Sequence, residues 1–334
     1  MKPSLEKAQI HPTNKCNLNC AFCDVPVRYK NHVDLSDEKW ISIAKDLTIL
    51  KPKIVTISGG GEPLLRTNLV INIMKMLNEA GIKSEIITNG TFVSKKLLST
   101  VLECGVLYRA SVHSVSVRKD KILRGVKNSV NLSFKGIKIL SEMKKKVKKE
   151  EPKIEIVMVI TKHNVDEIEK MIKKAPKLGV DKISLRIVHK YGESLKPTNE
   201  QMNYLKKNLK KYKKIAQKLG IEFDQDFIPE EVFEPERSDK KCKKPGPICM
   251  LPFTELVVFA DGRVAPCCNF IIDPIGTTGV DTVLKKSLVD VWFGKEFNKL
   301  RKIVEKRKSK QLPKTCKDCS FDLSPIDERY RKKI

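Results

Sequence analysis

Seven of the ten cysteines in this 334-residue chain fall into spaced patterns. The tightest is Cys16-Asn17-Leu18-Asn19-Cys20-Ala21-Phe22-Cys23. Gaps of three and two residues let one short loop wrap its thiolates around a single iron–sulfur cube, and thiolate is the ligand such clusters take. Three cysteines on a four-iron cube leave one iron open to a substrate or cofactor. Structural zinc takes four protein ligands, and this loop has neither a fourth cysteine nor a histidine. His11 lies across Pro12 on the strand side and reads as a packing or hydrogen-bonding residue. A second set, Cys249, Cys267, Cys316 and Cys319, offers four thiolates and therefore a closed site. By ligand count, zinc and [4Fe–4S] both fit there. Cys268 or Cys242 could replace one of the four, and Cys104 reads as a buried thiol at a helix end.

The elements that must hold these residues alternate. Apolar, β-rich runs occur at 8–10, 54–57, 84–87, 108–112, 154–160 and 183–188. Helical patterns fall between them. Ser36 caps a helix with Asp37 and Glu38 in its first turn, and Asn164 opens another carrying Ile168, Ile172 and Ala175. Others are expected over 67–80, 94–104 and 132–148. Six β-then-α units argue for parallel strands with crossover helices, either doubly wound or a partial barrel. After a lysine-rich helix over 202–219, the acidic, proline-containing stretch 224–239 reads as a linker or exposed loop. Beyond it, Asp261-Gly262 sits between short β-rich runs as a hairpin signal, and a helix is expected over 295–308. This places a boundary near 229–240 and two domains, 1–235 and 236–334.

The cysteine loop after the first strand resembles the hallmark of the radical S-adenosylmethionine (SAM) superfamily. The resemblance covers about residues 8–190 and implies an α/β fold, a partial (β/α)6 TIM-type barrel, with a small C-terminal cysteine-rich auxiliary-cluster domain. It implies a [4Fe–4S] cluster on Cys16, Cys20 and Cys23 whose open iron chelates SAM. Reductive cleavage then gives a 5′-deoxyadenosyl radical, which abstracts hydrogen from a substrate carbon. Ser58-Gly59-Gly60-Gly61-Glu62-Pro63 resembles the family's GGEP motif for the SAM amino group, with Gly60 and Gly61 giving close backbone approach and Glu62 meeting an ammonium. Thr88-Asn89-Gly90 resembles the TNG turn, for which turn-capping competes with ligand contact. The segment 108–125 resembles the part supplying a serine to the ribose and an arginine to the SAM carboxylate, carried here onto Ser111, with Ser114 as competitor, and Arg124. Phe22 is expected near the adenine. Arg186 and His189, at a strand end, are candidates for substrate contact or simple ion pairing.

Cys249, Gly262 and Cys267, then 288–292 and Leu300-Arg301 leading to Cys316 and Cys319, resemble the auxiliary-cluster domains called SPASM and twitch. With nothing after Cys319, one auxiliary [4Fe–4S] cluster of the twitch type is expected. Held by four thiolates, it would move electrons rather than bind substrate, which suits a net oxidation. Such relatives include peptide maturases and enzymes that oxidise small molecules, so the implied class is a radical SAM oxidoreductase or maturase acting on a peptide or small molecule. A ferredoxin or flavodoxin would be the electron donor.

The net charge of +26 raises two other readings, an RNA-modifying radical SAM enzyme and a non-enzymatic iron–sulfur or zinc protein. The excess is lysine more than arginine, and on 202–219 it decorates the faces left by an apolar stripe of Met202, Leu205, Leu209, Tyr212, Ala216 and Leu219. Arginine forks and interleaved aromatics, the sharper signs of nucleic-acid binding, are scarce. A polar N-terminus and the lack of any long apolar run exclude a signal peptide and a membrane helix, so a cytoplasmic protein is expected.

Overall fold

The computed structural model describes residues 1–23, 25, 33–188, 190–227, 249–267, 280–306, 311–313 and 316. Strands β1 (Lys7–Ile10), β2 (Ile54–Ile57), β3 (Lys83–Thr88), β4 (Leu107–Ser111), β5 (Ile154–Ile160), β6 (Lys182–Ile187) and β7 (Glu222–Phe227) lie side by side in chain order, each parallel to the last. A doubly wound sheet would reverse its order at a switch point. This order never reverses, so the sheet curls one way, as a barrel does, and stays open. β8 (Glu255–Val258) occupies the far side of β1, in parallel. β9 (Arg263–Ala265) and β10 (Asp281–Thr282) follow antiparallel at that edge.

Crossover helices α1 (Asp37–Leu50), α2 (Thr67–Glu79), α3 (Lys95–Glu103), α4 (Val117–Arg124), α5 (Ser129–Lys146), α6 (Ile168–Leu178) and α7 (Asn199–Lys218) return the chain between strands. Their starts follow local chemistry. The Ser36 hydroxyl accepts from Lys39 N, Ser94 caps α3, and Thr198 with Gln201 forms a reciprocal capping box on α7. Alternate strand residues such as Ile10, Ile57, Ile86, Tyr108, Ile156 and Ile183 are wholly buried in one apolar core. The intervening positions carry charge. Arg109 pairs with Glu85 at 3.3 Å and Glu155 at 2.8 Å, and Asp224 pairs with Lys182 at 3.5 Å and Arg186 at 3.4 Å.

One expectation changes, and one helix had no sequence signal. The acidic stretch beginning at Asp224 is not all loop, because β7 runs through it. Its acids face a basic partner strand, so polarity hid a strand. Asn164 opens a 3-10 turn, Val165–Glu167, that runs straight into α6, and its amide nitrogen donates to His113 O and Val159 O, tying the β4 and β5 ends together. Helix α4, with the sequence VRKDKILR, has too few apolar residues to show a periodicity. The expected domain boundary near 229–240 lies outside the described residues.

The C-terminal segments add α8 (Leu251–Thr254), α9 (Leu288–Phe293) and α10 (Lys295–Glu305). Arg301, on α10, is buried over the Trp292 ring at 4.3 Å and donates to Pro252 O and Trp292 O. Among the described residues no helix is long and apolar enough to cross a membrane.

Candidate active site

The cysteine loop leaves the C-terminal end of β1 and is held from three sides. Gly61 N donates to Thr13 O at 2.9 Å and Glu62 N to Lys15 O at 2.8 Å, which ties the loop to the turn after β2. Thr13 Oγ1 and Asn14 N both donate to Asp34. Asn19 N donates to Arg124 O at 3.1 Å and Ala21 N to Leu123 O at 2.9 Å, so the residues flanking Cys20 are strapped to the last turn of α4. Cys16 and Cys23 are exposed and Cys20 is half-buried. Cys16 Sγ accepts from Leu18 N at 3.4 Å, and Asn89 Nδ2 approaches it at 4.0 Å.

The glycine turn serves this packing directly. A Cβ on Gly60 would lie 2.1 Å from Asn14 Oδ1, and one on Gly61 would lie 1.9 Å from Lys15 O. The close backbone approach that glycine permits is therefore seen against the cysteine loop itself. Glu62 is only 2% exposed. Its carboxylate accepts from Leu64 N at 3.0 Å, Thr88 Oγ1 at 2.8 Å and Asn89 N at 2.7 Å. These bonds make Glu62 a brace between the β2 and β3 ends. Thr88 shares that work, also accepting from Gly90 N. Asn89 reaches the loop through Asn17, at 2.8 Å from Nδ2 to Oδ1.

Arg124 is the most deeply held of the candidate site residues. Its side chain has no exposed surface, and its guanidinium donates to Asn89 O at 2.8 Å and Ser133 Oγ at 3.1 Å. It stands behind the cysteine loop, whose Asn19 N and Ala21 N are fastened to the end of its helix. Ser114 is also buried and donates to Glu167 and Ser116 O, whereas Ser111 stays half-buried at the end of β4. Phe22 is half-buried, its ring edge-on to His113 at 5.1 Å. Arg186 pairs with Asp224 at 3.4 Å, and His189 lies outside the described residues.

In the second region, the β8–β9 hairpin turns at Gly262, whose φ of +88° suits glycine. Cys267 and Cys316 pack on Val257, Phe259 and Ala265, while Cys249 packs on Phe253, Leu300 and Val304. Val280 packs against both groups. Cys242, Cys268 and Cys319 lie outside the described residues. Cys104 is half-buried at the end of α3.

Residues 10–175 match the family model of the radical SAM superfamily, and residues 249–320 match an iron–sulfur cluster-binding domain, SPASM. The chain belongs to the radical SAM superfamily. As a member with a SPASM domain it takes [4Fe–4S] clusters and SAM as cofactors. It is 29% identical to an uncharacterized protein of Methanocaldococcus jannaschii over 215 residues, 62% of this chain and 69% of that one. In fold it is similar to Streptococcus suis SuiB bound to S-adenosylmethionine, with a TM-score of 0.67 at 20% identity over 90% of this chain. The chain spans 66% of the length of SuiB. It is also similar to anSMEcpe with bound AdoMet and Cp18Cys peptide, with a TM-score of 0.63 at 18% identity, covering 95% of this chain and 86% of that one.

The donor chemistry of this radical SAM chain fits its first cluster. Burial, with the neighbouring Cys23 and Cys16, pushes the Cys20 thiol up to about 12, so a thiolate there requires compensating positive charge such as cluster iron provides. Among the described residues no three His, Cys, Asp or Glu side chains group as a site for a single metal ion. His113, Asp120, Asn17 and Ser133 escaped the sequence reading. The one available signal was Asp120 standing four residues before Arg124 on a helix.

Proposed function

We propose that this radical SAM enzyme carries out a net oxidation or modification of a peptide or small molecule, with an auxiliary [4Fe–4S] cluster as electron acceptor and a ferredoxin or flavodoxin as donor. When bound and reduced, the first cluster supplies the electron that cleaves SAM to a 5′-deoxyadenosyl radical. This chain's residues hold and shield that site. Cys16, Cys20 and Cys23 would ligate the first cluster. Phe22, Gly60, Gly61, Asn89 and Ser111 would line the SAM site, with Glu62, Thr88 and Arg124 bracing it from behind. Cys249, Cys267, Cys316 and Cys319 would hold the auxiliary cluster, in a domain of 236–334 following a core of 1–235.

The observation that carries this reading is the shared strand between the two thiol sites. β1 feeds the first cysteine loop on one side and pairs with β8 on the other, with His11 N donating to Val258 O at 2.9 Å. The His11 ring meets Phe259 edge-on at 5.5 Å, and Phe259 packs in the group that includes Cys267 and Cys316. A packed path between the sites supports a route for the second electron of an oxidation. Peptide is the favoured substrate class, since SuiB is known bound to precursor peptide SuiA and anSMEcpe to a peptide.

The test is anaerobic reconstitution of the full chain with iron and sulfide counts. C316A/C319A should lose about half its iron and keep dithionite-driven formation of 5′-deoxyadenosine. Zinc in the second site, or unchanged iron in that variant, would overturn the acceptor role.

One observation favours a second reading, RNA modification. Helices α5, α6 and α7 carry 16 lysines against three acids, whereas α1, α2 and α3 carry five of each. Co-purifying tRNA with steeply salt-dependent binding would support it.

A further inference from the structure

A buried ion pair stands directly behind the first cysteine loop. Asp120 and Arg124 sit one turn apart on α4, both side chains without exposed surface, with Nη1 and Oδ1 3.7 Å apart. The last turn of that helix is where Asn19 N and Ala21 N are fastened, so Cys20 is fixed between two bonds onto it. Gly125 closes the contact, since a Cβ there would lie 2.5 Å from Asn19 O. Removing two charges from water costs several kcal/mol per ion, and a pair repays that only when every remaining donor and acceptor is satisfied. Here, among the described residues, Arg124 Nε and Asp120 Oδ1 are buried without a hydrogen-bond partner. Stability alone does not account for the pair.

We propose that Arg124 and Asp120 are positioning residues that set how readily the cluster on Cys16, Cys20 and Cys23 takes up its electron, Arg124 favouring the reduced form and Asp120 opposing it. This rests on the cluster assignment made above. The physical cause is fixed charge in a poorly screened interior. Adding an electron to a thiolate-bound cluster increases negative charge, which a guanidinium stabilises and a carboxylate destabilises. The guanidinium keeps its charge at any working pH. It also offsets the partial negative charge of the α4 carbonyl end that faces the loop.

The experiment is a potentiometric titration of the reconstituted full chain without SAM. Dithionite supplies the single electron, and the EPR signal of the reduced cluster is read in a C316A/C319A background. At the potential where the parent is half reduced, R124M should show a reduced-to-oxidised ratio about tenfold lower, 59 mV for a one-electron couple. D120N should shift the ratio the other way. R124M/D120N should fall between R124M and the parent, and R124K should stay near the parent. A scaffold role would give shifts of one sign or none, and either result overturns the proposal. Should R124M fail to load iron, D120N decides alone: a ratio that does not rise refutes it. A parent protein that holds no iron and sulfide would instead defeat the cluster assignment, a distinct outcome.

Discussion

The two thiol sites of this chain are built in opposite ways. The first draws all three sulfurs from eight consecutive residues, and its support comes from elsewhere: the turns after β2 and β3 and the end of α4 each fasten one part of the loop. The second draws its thiols from segments far apart in sequence, Cys267 and Cys316 packing with Phe259 and Cys249 with Phe253, with Val280 against both groups at the sheet edge. A local loop is easy to form and needs bracing to hold geometry. A dispersed site must be assembled by folding, and its ligands then come with their packing. Losing a ligand should therefore be a contained event at the second site and a catalytic catastrophe at the first.

The largest expected effect tests that contrast. C20A should abolish 5′-deoxyadenosine formation, while C267A should keep it and lose only the auxiliary share of the iron. Equal loss in both variants would show that the sites do not load independently.

Next come the braces. E62A removes an acceptor from three buried donors, at roughly 1–3 kcal/mol each when left unsatisfied, so the urea midpoint should fall by the equivalent of about 3 kcal/mol or more. G61A places a Cβ against the Lys15 carbonyl, which is backbone and cannot step aside. Overpacking of this kind costs about 1–3 kcal/mol. Cluster loading at the first site should fall in both. An E62A protein of unchanged stability would mean that the β2 and β3 turns are held by something other than this carboxylate.

Legibility in the sequence followed the same divide. The cysteine loop, the glycine turn and Thr88-Asn89-Gly90 are contiguous and could be found by spacing, and so could the alternation of strands and helices. The inward turn of Glu62 and Arg124 could not, because it depends on partners at Asn89 and Ser133 that only the fold brings near. Residue type announces that a carboxylate or guanidinium is important without saying which way it faces. β7 was hidden because its inward acids meet Lys182 and Arg186, a pairing that hydropathy counts as loop.

Two buried histidines give a smaller, pH-dependent contrast. Burial holds His113, beside Phe22, down to about 3 and His11, beside Phe259, down to about 4. His113 Nδ1 accepts from Val159 N at 3.1 Å, which only an unprotonated nitrogen can do. Both groups are neutral when folded, whereas an unfolded histidine takes a proton near 6.5, so between that pH and the folded values the unfolded state binds more protons. Stability should fall on acidification through that window, by up to about 1.4 kcal/mol per pH unit for each histidine. H113Q should flatten part of the slope measured by urea unfolding between pH 6 and 4.5. An unchanged slope would mean that His113 is hydrated in solution.

The smallest effect is the most informative about coupling. Gly262 holds φ +88° at the hairpin turn, and Thr282 Oγ1 and Val283 N both donate to its carbonyl. A Cβ there would meet Leu35 Cδ2 at 3.2 Å and Leu284 Cδ2 at 3.3 Å, the flexible ends of side chains, so backbone strain dominates the cost of G262A at about 1–2 kcal/mol. That should loosen the hairpin and lower auxiliary iron modestly. Leu35, however, stands next to Asp34, which fastens Thr13 and Asn14 of the first loop, and its own N–H donates to Ala260 O at 2.7 Å. If the two sites are mechanically separate, SAM cleavage in G262A stays at the parent rate. A matching fall in SAM cleavage would show that strain at the sheet edge reaches the first loop through Leu35 and Asp34, and that one framework holds both sites.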